Sequence, residues 1–232
     1  MPHYYYYGID IYYFILILPA FIISLFAQIK VSSTFSKYSK SINMSGLTGA
    51  KAAEKVLHTH GVYDVRIERI RGNLTDHFDP RGNVIRLSDS VYDSTSVAAI
   101  GVAAHEAGHA VQYAQSYAPI KIRNSILPVV SFGSKFSFIA ILLGIVLSNS
   151  ILIYVGIALF SLSTLFQILT LPVELNASKR AMETIRGQAL LSDHEAKGAR
   201  KVLTAAAMTY IAAVVMSLAQ LLRLLLLARR KD

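Results

Sequence analysis

Residues 96–112 read Ser-Val-Ala-Ala-Ile-Gly-Val-Ala-Ala-His-Glu-Ala-Gly-His-Ala-Val-Gln, an apolar run interrupted by three polar side chains. On a helix, positions i and i+4 share a face, so His105 and His109 can both reach one metal ion, with Glu106 beside them. Polar side chains in so apolar a helix are costly unless something binds them. Gly108 would let another backbone or a substrate approach closely. The stretch therefore predicts a helix that carries half of a metal site.

The spacing His-Glu-x-x-His is typical of zinc hydrolases. Catalytic zinc takes three protein ligands and keeps one position open, and this pentapeptide supplies two ligands and a base. It indicates metal-assisted hydrolysis, usually of a peptide bond. A pair of histidines with a structural role is the alternative interpretation.

The composition indicates a membrane protein. The chain has 232 residues, 53% hydrophobic content and a mean hydropathy of +0.45, which is too apolar for an ordinary soluble domain. It contains no cysteine, so disulfides and thiolate zinc sites are excluded, and histidine and carboxylate groups would have to hold a transition metal. The net charge of +9 does not indicate nucleic-acid binding, because the basic residues lie mostly between apolar spans.

Four apolar spans organise the chain, at residues 8–29, 127–147, 151–171 and 203–227. The polar segments between them carry other signals: a helix at 50–60, strands at 62–70 and 84–88, and turn-forming residues at 73–83. Ser94 or Thr95 is expected to cap the helix that carries the motif. The strand at 84–88 fits two interpretations, pairing with an extended substrate backbone or packing as an ordinary hairpin strand.

Basic residues predict the orientation in the membrane. Segments 30–125 and 172–202 hold 12 and 6 of the 23 lysines and arginines, so they are expected on the cytoplasmic side. The segment before the first span holds none and is expected outside. Four spans would also put the basic tail outside, against the same rule. Either the last helix does not fully cross, or the tail is an exception.

Two histidines need a third ligand, which a downstream glutamate or histidine usually supplies. The pattern in which a third histidine follows His109 by six residues is absent, because position 115 is Gln. The downstream candidates are Glu174, Glu183, Asp193, His194 and Glu195. Glu174 is favoured, because a lone carboxylate at the end of an apolar span needs a cation. A carboxylate stabilised by the helix dipole just after Pro172 is the alternative.

Five stretches share a pattern with a known family. They are Leu74-Thr75-Asp76-His77-Phe78-Asp79-Pro80, Ile85-Arg86-Leu87-Ser88, the stretch from Val102 to Gln112, Leu171-Pro172-Val173-Glu174 and the stretch from Val202 to Tyr210. In these, and over nearly its whole length, the chain resembles the neutral zinc metallopeptidases of bacterial membranes. Those proteins are distantly similar to membrane proteases of the CAAX prenyl-protease and heat-shock type. The resemblance implies a gluzincin-like site with Glu174 as the third ligand.

The chain departs from the pattern of these proteins at two positions. The family often has aspartate where this chain has Asn176, and the related proteases often have one where it has Ser178. In those proteases the carboxylate orients a zinc-bound histidine. Asn176 accepts a hydrogen bond but brings no charge, so we expect weaker zinc binding or another group in that role.

The predicted fold class is mainly α, a multi-pass membrane protein with about four transmembrane helices and a small α+β, zincin-like catalytic subdomain. The expected organisation is an N-terminal transmembrane helix at 1–29, a catalytic segment at 30–125, a transmembrane hairpin at 126–172, a helical segment with the third ligand at 173–202, and a C-terminal transmembrane helix with a basic tail at 203–232.

The predicted function is that of a cell-membrane zinc metalloendopeptidase with one Zn²⁺ ion. His105, His109 and Glu174 are the expected ligands, and Glu106 is the expected general base. Candidates for transition-state or supporting roles are His77, His194, Tyr210 and Asn176. The expected partners are a protein or peptide substrate, membrane proteins included, and the lipid bilayer, but no nucleic acid; no feature indicates an oligomeric state. Two rival functions are a non-catalytic membrane scaffold with a structural zinc and a transporter component.

Overall fold

The computed structural model describes residues 10–229. Residues 8 and 9 of the predicted first span, and Arg230 and Lys231 of the predicted basic tail, lie outside the described residues. The helices are α1 (Leu18–Tyr38, after a π-helical turn at Tyr13–Ile17), α2 (Gly49–Thr59), α3 (Val97–Ala114), α4 (Ala118–Val146), α5 (Ser150–Gly187) and α6 (Asp193–Arg229). The strands are β1 (Arg66–Ile70), β2 (His77–Asp79) and β3 (Val84–Ser88).

Four of the helices are long and apolar enough to cross a membrane, namely Tyr13–Tyr38, α4, α5 and α6. This confirms the prediction of a mainly α membrane protein with about four such helices. α5 has 38 residues and α6 has 37. At 1.5 Å per residue each is roughly 55 Å long, whereas a hydrocarbon core is about 30 Å thick. Both helices are therefore long enough to continue well beyond a bilayer core.

The chain divides into two compact units. The first, which we call the membrane unit, comprises Met1–Ala27, Arg123–Thr170 and Thr209–Asp232. Inside it α4 and α5 approach closely at Gly156, where an added Cβ would lie 2.9 Å from the backbone nitrogen of Ile141. Ser137 on α4 donates a hydrogen bond of 2.9 Å to the Gly156 carbonyl. Small residues and such hydrogen bonds are the usual means by which membrane helices associate.

An ion pair joins the segment before α1 to the last helix of the membrane unit. Arg223 Nη2 and Nε lie 2.6 and 3.0 Å from Asp10 Oδ2, and both side chains are only 15% exposed. The guanidinium also lies 5.5 Å from the centre of the Tyr13 ring. A charge within an apolar unit needs such a partner. The pair brings the segment before α1 beside the last turns of α6.

The second compact unit, which we call the site unit, comprises Gln28–Ile122 and Leu171–Met208. Its core contains fully buried Val56, Leu87, Ile100 and Ile185, so α2, α3, the sheet and the end of α5 share one core. Hydrophobic burial of this kind is the main force that holds such a unit together.

The N-terminus of α3 is capped two residues later than the first expected position. Ser96 is the N-cap, and its hydroxyl accepts a hydrogen bond of 3.2 Å from the Ala99 N–H. The prediction of Ser94 or Thr95 was therefore wrong. Ser94 instead donates to the Ser96 hydroxyl at 3.0 Å, which supports the cap.

The three strands are ordered β1-β3-β2, with β1 parallel and β2 antiparallel to β3. β3, the predicted strand at 84–88, therefore has a neighbour on both sides. It has no free edge, so the interpretation that it pairs with a substrate was wrong. β3 instead packs as the second strand of an antiparallel hairpin with β2, in agreement with the alternative interpretation. β2 lies within the stretch that was predicted only as turns, and it forms one edge of the sheet.

Candidate metal centre

Helix α3 places its two histidines on one face. The rings of His105 and His109 are 4.7 Å apart between centres and nearly perpendicular, at 82°. Both side chains are mostly buried, with 13% and 11% of their surface exposed. The i, i+4 spacing therefore places both imidazole rings on one face of α3, as the sequence predicted.

Glu174 on α5 completes a cluster with these histidines. Its Oε2 lies 3.3 Å from His105 Nε2 and 3.4 Å from His109 Nε2, and the three candidate ligand atoms lie within 4.8 Å of one another. Zinc–ligand bonds of about 2.0–2.1 Å in a tetrahedral arrangement put ligand atoms roughly 3.3 Å apart. Two nitrogens and one carboxylate oxygen are also a suitable donor set for zinc. The residues present fit the metal.

Gly108 lets α3 and α5 come close enough for this cluster to form. An added Cβ at Gly108 would lie 2.6 Å from the carbonyl oxygen of Ala177 and 3.2 Å from its Cα. Only glycine fits so near another backbone. Ala177 lies one turn beyond Glu174 on α5, so the contact sets the distance between Glu174 and the histidines.

Each histidine uses its second ring nitrogen for a hydrogen bond. His105 Nδ1 lies 3.0 Å from the Ser178 hydroxyl, and His109 Nδ1 lies 3.1 Å from Gln112 Oε1. Burial alone would lower the pKa of His109, but the hydrogen bond with Glu174 and the charge of Glu106 outweigh it and raise that pKa. A proton on this ring would therefore compete with a metal ion.

Glu106 stands beside the cluster and is not part of it. Its Oε2 accepts a hydrogen bond of 3.0 Å from the Phe78 N–H of β2. Phe78 faces Ile85 across the sheet, while its N–H points away from β3 to Glu106. The outer edge of β2 therefore borders the carboxylate of Glu106.

The four residues predicted for transition-state or supporting roles lie outside the cluster of candidate metal ligands. His77 Nδ1 bonds the Thr75 carbonyl at 2.8 Å, within its own turn. His194 is exposed in the first turn of α6, and Tyr210 lies on α6 in the membrane unit. Asn176 Oδ1 accepts hydrogen bonds from Gln112 Nε2 at 3.0 Å and Arg180 Nε at 2.8 Å. None of these four belongs to the metal cluster found among residues 10–229.

The remaining candidates for the third ligand have other roles. Glu183 lies 3.7 Å from Lys179 on the exposed side of α5, and Asp193 is exposed at the start of α6. Glu195 accepts hydrogen bonds from Ser192, the residue before α6, and from the Met44 N–H. Sequence reasoning missed Gln112 as a partner of His109, although its i+3 position on the same buried face was a usable signal.

Comparison with known proteins supports a zinc site in a membrane protein. Residues 13–229 match the family described as "Putative neutral zinc metallopeptidase". The chain is 47% identical over 205 residues to a protein of Bacillus subtilis (strain 168) named "Putative membrane protease YugP"; the alignment covers 88% of this chain and 91% of that relative. No solved structure matches the chain significantly. Because the family match includes both the motif helix and Glu174, as well as all four long helices, the chain belongs to this zinc metallopeptidase family of membrane proteins.

Proposed function

We propose that the protein is a membrane-embedded endopeptidase in which His105, His109 and Glu174 hold one Zn²⁺ ion. The observation that carries the proposal is the convergence of two imidazole nitrogens on one carboxylate oxygen, at 3.3 and 3.4 Å. Three protein ligands are the number that catalytic zinc sites use, whereas structural sites use four.

Zinc bound there would supply the Lewis acidity that makes water a nucleophile near neutral pH and polarises the scissile carbonyl. Glu106 is placed beside the ligands without being one, so its carboxylate is available for proton transfer. It takes the proton from the attacking water and delivers it to the leaving amine. The Phe78 N–H, 3.0 Å from Glu106 Oε2, holds the carboxylate in place.

The outer edge of β2 is the place for an extended substrate backbone. The edge of a sheet offers unpaired backbone groups to an added strand. On that side the Phe78 N–H is already bound to Glu106 Oε2, so it locates the general base at this edge and does not itself pair with the peptide. A peptide that lies along β2 would therefore pass the general base and the metal ligands, which β3 in the middle of the sheet would not allow.

Replacement of Glu106 by Gln tests the catalytic proposal. Zinc content should stay at that of the wild type, because the three ligands are intact. Cleavage of fluorescent casein and of a membrane-anchored reporter should fall by roughly 10²–10⁴-fold, the usual contribution of a positioned acid–base group. Glu183→Gln is the matched control, since Glu183 is exposed on α5 and pairs only with Lys179 among the ion pairs of the site unit. Equal cleavage by Glu106→Gln and the control would exclude Glu106 as the base.

The main alternative, a non-catalytic scaffold with a structural zinc, predicts a closed site with a fourth protein ligand. Within residues 10–229 the metal cluster has three members. A scaffold would also need no acid–base residue beside the metal, so it predicts that Glu106→Gln changes nothing.

We propose the cytoplasm as the side of the site unit, on the basis of its excess of lysine and arginine. Full crossing by α6 is supported by the pairing of Arg223 with Asp10, which brings the segment before the first helix beside the last turns of the fourth. Because the chain has no cysteine, Lys51→Cys at an exposed position of α2 introduces a unique thiol. A membrane-impermeant maleimide added to intact cells should leave it unlabelled and should label it after permeabilisation. Labelling of intact cells would reverse the orientation.

A further inference from the structure

Gln112 is a fully buried amide whose polar atoms all have partners. It lies three residues after His109 on α3, and its exposed surface is 0%. Its Oε1 lies 3.1 Å from His109 Nδ1, and its Nε2 donates to the Val173 carbonyl at 2.8 Å and to Asn176 Oδ1 at 3.0 Å. A buried amide without such partners is costly, so this one is held in a single orientation.

Arg180 determines the orientation of the amides beside it. A guanidinium can only donate hydrogen bonds, so Asn176 must turn its oxygen, and not its NH₂ group, towards Arg180 Nε at 2.8 Å. Arg180 is itself fixed, since Nη1 donates to Gln115 Oε1 at 2.6 Å and the guanidinium lies over the Tyr117 ring. The Asn176 oxygen in turn accepts from the NH₂ group of Gln112.

The Gln112 amide determines which ring nitrogen of His109 carries the proton. With its NH₂ group engaged by two oxygens, Gln112 has only its own oxygen to offer, and the partner nitrogen Nδ1 must carry a hydrogen. A neutral imidazole has one N–H, so the proton on Nδ1 leaves Nε2 as a lone pair directed at the position beside Glu174 Oε2. That form of histidine binds a metal.

We propose that Gln112 is a positioning residue for the metal site, and that the Val173 carbonyl and Asn176, itself held by Arg180, orient it. The inference rests on the proposed zinc site and deepens it. The usual partner of a zinc-bound histidine is a carboxylate or a carbonyl. Here a neutral amide takes that place for His109, and its orientation comes from the Val173 carbonyl and from the Asn176 oxygen, which Arg180 turns towards it.

His105 offers an internal comparison. Its Nδ1 faces the Ser178 hydroxyl, which can donate or accept a hydrogen bond. Ser178 therefore holds the ring in place but does not by itself select which nitrogen is protonated. Of the two histidines, His109 is the one whose tautomer the surrounding protein dictates.

The test compares two substitutions of Gln112 that a merely structural role would rank in the opposite order. Gln112→Met keeps the volume and removes the acceptor; Gln112→Glu keeps an acceptor oxygen but buries a charge. Zinc affinity is measured by chelator competition on the purified full-length protein, and the ligand field by the visible spectrum after Co²⁺ substitution. Gln188→Met, at an exposed position after α5, is the control for the substitution itself.

A positioning role predicts that Gln112→Met binds zinc roughly 10–100-fold more weakly, the usual effect of losing a histidine's outer partner, and that its Co²⁺ spectrum changes. Gln112→Glu should bind zinc more tightly than Gln112→Met and should keep the wild-type spectrum. A role in packing alone predicts the reverse order, because a buried charge disturbs the core more than a thioether does.

The outcomes separate this inference from the proposed function. If wild type and Glu106→Gln hold no zinc, the proposed function fails, and the role of Gln112 fails with it. If they hold one ion and Gln112→Met matches them in affinity and spectrum, only the role of Gln112 is overturned. Should Gln112→Met not fold, Gln112→Asn decides in the same way, since it stays polar but withdraws the oxygen from Nδ1 by one methylene.

Discussion

The close contact between α3 and α5 gives a quantitative prediction for Gly108→Ala. The new Cβ would lie 2.6 Å from the Ala177 carbonyl oxygen, and ordinary contacts begin at 3.4 Å, so the two helices must separate locally by about 0.8 Å. Metal sites tolerate ligand displacements of only about 0.2 Å. Because Ala177 lies one turn from Glu174, the separation would draw this ligand away from the histidines.

The size of the effect follows from the strain. Extra volume in a packed interior costs about 1–3 kcal/mol. If the bound ion has to draw the helices back together, that strain is subtracted from the binding free energy, and zinc binding weakens roughly 5–150-fold. Chelator competition on detergent-purified protein measures this directly, with thermal unfolding of the same samples as a check on the fold.

Gly101→Ala is the matched control on the same helix. Its Cβ would lie 3.5 Å from the Ala199 Cβ, an ordinary contact, so the change should be tolerated. Alanine is also favoured over glycine in a helix by about 1 kcal/mol, so its unfolding temperature should stay equal or rise. The reasoning is refuted if Gly108→Ala binds zinc as tightly as Gly101→Ala.

Three further predictions concern metal removal, pH and the membrane unit. Chelation of zinc should abolish peptidase activity, and stoichiometric zinc should restore it, as measured on fluorescent casein. The hydrogen bond from Arg86 holds the pKa of Asp79 below its ordinary 3.8. The ionised carboxylate therefore stabilises the sheet above pH 3.8, and this stabilisation is lost as the pH falls through the lowered pKa. The stability of Asp79→Asn, followed by acid unfolding, should not show this loss. Asp10→Asn leaves Arg223 without its carboxylate partner, and breaking such a pair costs about 3–5 kcal/mol. The unfolding temperature in detergent should therefore fall. An unchanged unfolding temperature would show that the pair does not contribute to stability.

The sequence predicted the elements whose signal is local. The i, i+4 spacing determines that His105 and His109 share a face, and four apolar runs determine four long helices. Glu174 could be favoured because a carboxylate at the end of an apolar span needs a cation, and the structure brings it within 3.4 Å of both histidines. Its role as a ligand remains a proposal.

The features that the sequence did not predict depend on long-range pairing. β2 has only three residues, too few to show a pattern, and its place is set by pairing with β3 and by contact with Glu106. β3 is buried at four of its five positions, a sign of a central strand that its short apolar pattern alone could not distinguish from a one-sided strand. The link from Arg180 to His109 spans α3 and α5, so no local pattern could reveal it.

The zinc content of Glu174→Ala, beside that of Glu106→Gln, tests most directly whether the site combines α3 and α5. Atomic absorption on the purified proteins should find one zinc per chain in wild type and in Glu106→Gln, and much less than one in Glu174→Ala, which loses a third of its ligands. One zinc per chain in Glu174→Ala, bound as tightly as in wild type, would contradict the assignment of Glu174 and the account of the site built on it.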